Sequence, residues 1–318
     1  MECTVKKTTE LTESEQADIV SFFNTIFEKD RTLEQFRNQY LNNPFGYSFH
    51  SLLTDEGQII GCVSYMPSYY IVNRERLPFV NGSDAMVSKP YRDFFNLYDM
   101  VITAYDYMRK NGIVYVYGFP NDNAYPVYHK AKINEDIGRL NTYCLPYRIG
   151  GVKPQLKELN LLSILFVKIY VFLSSLFAGR KAYHFLIEKE AGTYNVTRYQ
   201  RLDGDYKRIV LNGSEFVYKI MEYNGIRSAF LIDVFEKSAV QFIRAIKYII
   251  KNHAREFDIL LYIGYLPFSF HGLIKMPKIV SPKIFYFCGK ILNENRIDRN
   301  IAFNINNWDV NLSNYDLL

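Results

Sequence analysis

The sequence predicts an α+β protein built from two related units, in which mixed sheets are flanked by helices. Three observations lead to this prediction: the length of 318 residues, a cluster of strand patterns ahead of the longer helices, and the return of the same order of elements in the second half. A chain of this length exceeds the usual size of one compact domain and suits two. Apolar residues make up 48% of it, which is enough for a sizeable core.

The first half begins with helices and continues into strands. Thr12 and Glu15 form a capping box ahead of apolar residues at helical spacing, and Thr32 begins a second helix. Residues 48–53 and 58–65 alternate as a hairpin around Gly57. The pattern then predicts short strands over 70–72, 77–80 and 84–87, a helix over 94–110, a strand over 113–117, a helix over 124–132 and a strand over 141–148.

The second half repeats part of this order. Strands over 215–222 and 228–234 enclose Gly225, a helix covers 239–251, and a strand over 259–263 runs into Gly264. The same succession of strand pair, helix and strand before a glycine occurs around Gly57 and Gly118, which indicates an internal repeat. We therefore predict an N-terminal domain over 1–150, an apolar helical linker over 151–195 and a degenerate second domain over 196–318. We expect Trp308 to pack against the second sheet.

The linker contains an unusually apolar stretch. Residues 161–177 carry one charge, Lys168. A membrane-spanning helix needs roughly 20 apolar residues and tolerates a central lysine poorly. The stretch is therefore compatible with a buried helix between domains, a helix that rests on a membrane surface over 159–178, or a span.

Composition excludes several functional classes. The net charge of +5 comes without long Lys/Arg runs or a nucleic-acid-binding motif, so no nucleic-acid partner is expected. The four cysteines are scattered and the five histidines show no paired spacing, so neither a metal site nor a disulfide framework is predicted. The N-terminus is polar and lacks a signal-peptide pattern, and a reducing cytoplasm is the expected compartment.

Three stretches of the first half stand out: the hairpin over 48–66, the passage from Asp84 to Arg92, and residues 117–128, where the pattern Asn-x-x-Ala-x-x-x-Tyr falls on Asn121, Ala124 and Tyr128. Taken together, these stretches resemble the GNAT superfamily of acyl-CoA N-acyltransferases. The ending over 307–316 is similar to tandem GNAT-like proteins encoded near bacterial surface-polysaccharide genes. The resemblance is close over 10–148 and extends to 200–318 at the level of the fold.

The resemblance implies acyl transfer, in the first instance acetyl transfer, from acyl-CoA to an amine such as an amino sugar, free or lipid-linked. It assigns Tyr128 as the acid that protonates the leaving thiolate and Asp84 as the base for the amine. It assigns Asn121 and the strand Ala85, Met86 and Val87 to the pantetheine arm. The pyrophosphate falls at the start of the helix over 94–110, where free N–H groups favour anions, and this places it against Arg92, Asp93, Phe94, Phe95 and Asn96.

The phosphate turn departs from the family pattern, because Phe95 and Leu97 stand where small residues are usual and Asp93 adds a carboxylate. Two alternatives to the enzyme follow. One is a GNAT-like protein without activity that acts as a binding or scaffold module. The other is an aminoacyl or peptidyl transferase of the tandem-GNAT type, which uses aminoacyl-tRNA in place of CoA.

Overall fold

Two capped helices and a long antiparallel hairpin open the fold in the computed structural model, which describes residues 1–202, 204–211, 213–277 and 283–315. Asp316, the last residue of the C-terminal resemblance, lies outside these ranges. The elements of the first half are β1 (Glu2–Lys7), α1 (Glu13–Phe27), α2 (Leu33–Leu41), β2 (Phe49–Asp55), β3 (Gln58–Val72), β4 (Glu75–Val87), α3 (Phe94–Lys110), β5 (Tyr115–Gly118), α4 (Tyr125–Lys130), β6 (Glu135–Pro146) and α5 (Ile149–Val152).

The second half continues with shorter strands and one long amphipathic helix. Its elements are α6 (Asn160–Phe177), β7 (Ile187–Lys189), α7 (Ala191–Tyr194), β8 (Lys207–Leu211), β9 (Ser214–Tyr223), β10 (Ile226–Val234), α8 (Ala239–His253), β11 (Ile259–Gly264), β12 (Ile274–Lys275), β13 (Phe285–Ile291) and α9 (Arg299–Ala302). The α+β class predicted from the sequence is confirmed.

The chain divides into two compact units whose segments interleave. Unit 1 comprises Met1–Arg139, Leu186–Gly204 and Phe285–Trp308, and unit 2 comprises Leu140–Phe185, Asp205–Ile284 and Asp309–Leu318. The sequence predicts contiguous domains instead. The difference has a physical cause, because β7 and β13 form their backbone hydrogen bonds with strands of unit 1 although they follow α6 in the chain.

Unit 1 is built on a sheet in the order β1-β2-β3-β4-β5-β13, in which β4 and β5 are parallel and the other neighbours are antiparallel. Helices α1 and α2 cover one face over a core that includes Phe36, Tyr40 and Met86. Helix α3 covers the other face over a core that includes Tyr65 and Met100. β1 was not predicted, because its residues Glu2–Lys7 are mostly polar.

Unit 2 has a second sheet, in which residues 140–146 of β6 pair with β11, followed by β10, β9 and β8. β10 and β11 are parallel. Helix α8 packs on the sheet through Phe242 and Ile246, and α6 contributes Val167 and Val171 to the same core. Helix α6 therefore belongs to unit 2.

The two units share one order of elements. In unit 1 the hairpin β3–β4 leads into α3 and then β5, which lies parallel to β4. In unit 2 the hairpin β9–β10 leads into α8 and then β11, which lies parallel to β10. Strand pairing thus equates the hairpin around Gly225 with β3–β4, rather than with the hairpin around Gly57 that the sequence suggested.

Trp308 packs in unit 1, which corrects the expectation that it packs against the second sheet. Its ring is fully buried against Tyr70, Tyr115 and Phe287, with ring centroids 5.0–6.0 Å apart. Its indole N–H donates to the carbonyl of Ala302 at 2.8 Å. Burying so large a ring with its polar atom paired fixes the returning C-terminal segment to the unit 1 sheet.

Candidate functional site

The parallel strands β4 and β5 separate part of the way along. Their pairing begins at Phe79 with Tyr115 and ends at Gly82 with Gly118. β4 continues to Val87 without a partner from β5, while the chain beyond Gly118 turns away toward α4. The last five residues of β4 therefore have no β5 strand beside them. An unpaired strand edge of this kind can form backbone hydrogen bonds with an extended ligand.

A β-bulge marks the point of separation. On β4, Ser83 lies opposite Ser64 and Met86 lies opposite Cys62, so two residues of β4 oppose one residue of β3. One of the two is Asp84, whose φ of 47° is in the left-handed region. Bulges bend a strand and increase its twist. The bulge therefore accounts for the divergence of β4 from β5 and places Asp84 at the opening.

Asp84, one of the two predicted catalytic residues, is part of an ion pair. Its Oδ2 accepts a hydrogen bond from Arg31 Nη1 at 2.6 Å and another from the hydroxyl of Tyr40. Both partners come from the layer of α1 and α2. The Oδ1 atom accepts no hydrogen bond from any residue that the structure describes, and 13% of the side chain is exposed. One oxygen thus holds the carboxylate in place while the other remains available.

Tyr128, the second predicted catalytic residue, lies on the opposite face of the sheet. It projects from α4 into the core beneath α3. Burial raises the pKa of Tyr128 to about 12, so its hydroxyl is protonated near neutral pH. No hydrogen bond joins that hydroxyl to the described part of the chain. Asp84 and Tyr128 are on opposite faces where β4 and β5 part, so a ligand in contact with both must enter the gap between the strands.

Two polar atoms beside the gap are buried without partners. The hydroxyl of Tyr65 and the Oγ of Ser83 make no hydrogen bond with any described residue. A buried polar group without a partner costs roughly 1–3 kcal/mol. Such groups are rare in native folds, and a bound ligand is one source of the missing partner. The amides of a pantetheine arm carry the donors and acceptors that these two hydroxyls lack.

At the start of α3, where the resemblance implies the pyrophosphate, some backbone N–H groups are hydrogen-bonded and others are not. Asp93 is the N-cap: its carboxylate accepts from the N–H of Asn96 at 2.7 Å and from the Asn96 side-chain amide at 2.8 Å. The N–H of Asp93 donates to the Tyr91 carbonyl at 2.9 Å. The N–H groups of Phe94 and Phe95 have no partner among the described residues. Two donors therefore face outward beside one carboxylate.

The aromatic rings of this turn do not close it. Phe95 is 73% exposed and Phe94 is 41% exposed, and their rings contact each other at 5.5 Å. The Nε of Arg92 donates to the Val87 carbonyl at 2.8 Å, which joins its exposed guanidinium to the end of the open strand. Arg92 is thus an exposed cation next to the start of α3.

Along the open strand, Ala85 is exposed, Val87 is partly exposed, and Met86 points into the core with 2% exposure. Asn121 acts as a local cap: its Oδ1 accepts from the N–H groups of Asn123 at 3.1 Å and Ala124 at 2.9 Å. Its amide nitrogen is the group left for a ligand.

The corresponding opening in unit 2 is filled by the chain itself. β10 and β11 pair only from Ser228 with Ile259 to Phe230 with Leu261, and β10 has a bulge next to Asp233. Here the side-chain amide of Asn311 donates to Asp233 Oδ1 at 2.7 Å, and Asn311 forms a β-bridge with Gly264. The buried Lys237 forms ion pairs with Asp233 and Asp309. Of the two openings between parallel strands, the one between β4 and β5 is therefore the one that the described residues leave open.

Sequence reasoning missed Arg31, Tyr40, Tyr65 and Ser83. Arg31 and Tyr40 are 53 and 44 residues from Asp84 in the chain, so their roles depend on tertiary packing. Ser83 precedes a predicted site residue, and this adjacency was the one signal in the sequence that pointed to it. Tyr65 is one of 27 tyrosines, which masks any individual signal.

The structure is similar to several solved acyltransferases. A protein from Enterococcus faecalis V583 described as a probable N-acyltransferase matches with a TM-score of 0.58, over 92% of this chain and 73% of its own, at 14% identity. A GCN5-related N-acetyltransferase from Kribbella flavida matches with a TM-score of 0.57, over 92% of this chain and 72% of its own, at 11% identity. Another GCN5-related N-acetyltransferase, from Anabaena variabilis ATCC 29413, matches with a TM-score of 0.58, over 91% of this chain and 73% of its own, at 12% identity.

No protein-family profile matches the sequence, and no curated protein matches it. At these identities the structural similarity establishes the fold. The chain has the fold of the GCN5-related N-acetyltransferases, and the similarity extends over both units. The predicted fold is thereby confirmed.

Proposed function

We propose that unit 1 transfers an acyl group, in the simplest case acetyl, from acyl-CoA to an amine. The observation that carries this proposal is the gap between β4 and β5, which has an open strand edge, the unpartnered hydroxyls of Tyr65 and Ser83, and the protonated phenol of Tyr128. The shared fold supports the same class of reaction.

Each part of acyl-CoA would meet groups that fit it. The pantetheine amides would pair with the edge formed by Ala85, Met86 and Val87 and with the side-chain amide of Asn121. The pyrophosphate would accept from the N–H groups of Phe94 and Phe95 and from Arg92, where the dipole of α3 also favours negative charge. The carboxylate of Asp93 opposes the phosphate and limits the affinity. No metal is required by this arrangement.

The reaction would be direct attack of a neutral amine on the thioester carbonyl carbon. A C–N bond forms, the C–S bond breaks, and the thiolate takes the phenolic proton of Tyr128. The nitrogen loses one proton, which Asp84 Oδ1 accepts directly or through water while Oδ2 stays bonded to Arg31. The products are an amide and free CoA thiol, and no acyl-enzyme forms.

The acceptor that we propose is an amino sugar, free or lipid-linked, as the resemblance to proteins of surface-polysaccharide loci implies. The unpaired thiols of Cys3, Cys62, Cys144 and Cys288 suit a reducing compartment such as the cytoplasm.

Calorimetry with acetyl-CoA tests the proposal. We expect binding in the micromolar range. Because Arg92 is the cation at the phosphate turn, Arg92→Ala should weaken binding at least about tenfold. Lys110→Ala is the matched control, since this exposed cation lies at the other end of α3, and its affinity should equal that of the wild type. Release of CoA thiol in the presence of a panel of amino sugars then tests transfer.

A binding or scaffold role without catalysis is the second candidate, and the position of Asp93 at the phosphate turn favours it. It predicts that acetyl-CoA gives no heat of binding at millimolar concentration and that no amine elicits thiol release. The enzyme proposal fails if both results are obtained with folded protein.

A further inference from the structure

Helix α6 exposes an apolar face that is too large for an ordinary surface helix. Its packed side consists of Val167, Val171 and Ser174, which face the core of unit 2. Nine large apolar side chains on the other side are 47–79% exposed: Leu161, Leu162, Leu165, Phe166, Ile169, Phe172, Leu173, Leu176 and Phe177. At 100° per residue they cover about 160° of the helix circumference. Exposed apolar patches of this extent mark interaction surfaces.

The patch continues beyond the helix and is bordered by polar groups. The exposed ring of Phe270 lies 5.5 Å from that of Phe177 and extends the apolar surface. Tyr170, at one edge of the face, donates its hydroxyl to the Leu273 carbonyl at 3.1 Å. Lys168 lies at the other edge. The surface thus has an apolar centre and polar margins, as interfacial helices have.

The charges around α6 are almost all positive. The segment 153–181 carries the exposed cations Lys153, Lys157, Lys168, Arg180 and Lys181 and one anion, Glu158. None of the five cations forms an ion pair with a described residue. Unpaired cations beside an apolar face are complementary to anionic lipid headgroups, to which each Lys or Arg near the surface contributes about 1 kcal/mol.

We propose that unit 2 binds the surface of an anionic lipid bilayer through the exposed face of α6, with the helix axis in the plane of the membrane. The apolar side chains enter the acyl region, and the long side chain of Lys168 extends to the headgroups. The proposal does not depend on the acyltransferase function of unit 1.

The structure disfavours the two other occupants of this face. The helical stretch Pro154–Phe177 is long and apolar enough to cross a membrane, with a mean hydropathy of 1.9. A crossing would separate Val167 and Val171 from the folded core that buries them. Pairing with a second copy about a two-fold axis at the middle of the helix would bring two Lys168 side chains together, and like charges repel.

Vesicle flotation tests the proposal with the full chain. We expect it to float with phosphatidylcholine vesicles that contain phosphatidylserine, and to bind phosphatidylcholine alone more weakly. Leu162, Ile169 and Leu176 lie along the centre of the face, so replacing all three with glutamine should weaken binding at least about tenfold. The matched control is Leu202→Gln with Val210→Gln, two similarly exposed apolar residues that are not part of the α6 segment, and it should bind as the wild type does.

A second measurement reports on insertion directly. Trp308 is the sole tryptophan and is fully buried, so Phe172→Trp adds one exposed reporter on α6. Lipids brominated on the acyl chains should quench its fluorescence. Absence of quenching together with equal flotation of the triple variant would overturn the proposal. Resistance of the bound protein to alkaline extraction would also overturn it, because such resistance indicates a membrane span. The same holds if the wild type is a dimer in the absence of lipid and the triple variant is a monomer.

Discussion

Tyr128 and Asp84, the two residues proposed to act in catalysis, lie in different environments. The phenol of Tyr128 is left without a hydrogen-bond partner in an apolar setting, and burial raises its pKa to about 12. The carboxylate of Asp84 is held through one oxygen by Arg31 and Tyr40. A proton donor is thus kept protonated, and a carboxylate is kept in place at the opening of the sheet.

Tyr128→Phe removes the proposed acid and little else. We expect kcat for CoA release to fall about 100-fold or more, because general acid catalysis contributes at least that factor, with KM for acetyl-CoA nearly unchanged. With a pKa of about 12, Tyr128 should cause no loss of activity as the pH rises through 10. Steady-state thiol-release assays from pH 6 to 10 measure both. Equal activity of the variant would remove Tyr128 from the mechanism.

We expect His50 to make the stability of unit 1 depend on pH. It is fully buried between Thr8 at 2.9 Å and Ser64 at 3.0 Å, and burial lowers its pKa to about 3 from an ordinary 6.5. The unfolded chain therefore takes up a proton below pH 6.5 while the folded chain does not. Stability falls as the pH drops from 6.5 toward 3, by about 2 kcal/mol between pH 6.5 and 5.

Urea unfolding of the wild type and of His50→Gln at these two pH values checks this expectation. Carboxylates and His271 titrate in both proteins, so the difference between their pH slopes isolates His50. Identical slopes would mean that His50 binds its proton equally well in the folded and unfolded chains, so that its pKa is not lowered by folding.

Among the elements, α3 has an N-terminus at which two features would act in opposite directions on the proposed binding of a pyrophosphate. Its N-terminus offers two free N–H groups and a favourable dipole, yet its cap is a carboxylate that also satisfies the Asn96 N–H. Asparagine caps a helix about as well as aspartate does. The charge of Asp93 can therefore be removed while the helix start is kept.

Asp93→Asn should tighten acetyl-CoA binding about threefold to tenfold, because a like charge beside the pyrophosphate is removed. Calorimetry at low and high salt checks the result, and the gain should shrink as salt screens the charge. Asp106→Asn, near the other end of α3, serves as the control. Weaker binding in Asp93→Asn would show that the phosphate does not lie at this turn.

The elements also show what sequence can and cannot predict. The helix starts at Thr12 and Thr32 could be predicted because each capping box is made within four residues, and both boxes are present in the structure. The bulge at Asp84 could not, since it depends on the register between β4 and β3. The partners of Asp84 could not either, because Arg31 and Tyr40 reach it only after α1 and α2 pack on the sheet.

At the scale of the whole molecule, two strands from late in the chain pair with strands of unit 1, so the units do not follow the order of the sequence. β7 pairs with the end of β3, and β13 pairs with β5. The internal repeat and the fold class could be predicted from the periodicity of the second half. The interleaving of the two units could not be predicted. β7 has three residues, which is too short for a sequence pattern, and β13 follows a stretch whose sequence fits the second unit.

A fragment of residues 1–150, the contiguous first domain expected from sequence, should fail to fold cooperatively. It lacks β13, β7 and Trp308, so the edge of β5 and the rings around Trp308 would be exposed. Losing a fully buried tryptophan alone costs about 3–5 kcal/mol, a large part of the stability of a domain. Urea unfolding followed by circular dichroism checks this, with the full chain as reference. A sharp two-state transition of the fragment would contradict it.

The pairing of β5 with β13 has a consequence for biosynthesis. β5 ends at Gly118, whereas its antiparallel neighbour ends at Ile291. Ribosomes add about 5–20 residues per second, so this edge waits roughly 10–35 s for its partner to emerge. Unit 1 of a nascent chain would therefore stay incomplete until β13 has emerged from the ribosome, and chaperones would have to shield the apolar strand β5 throughout that interval.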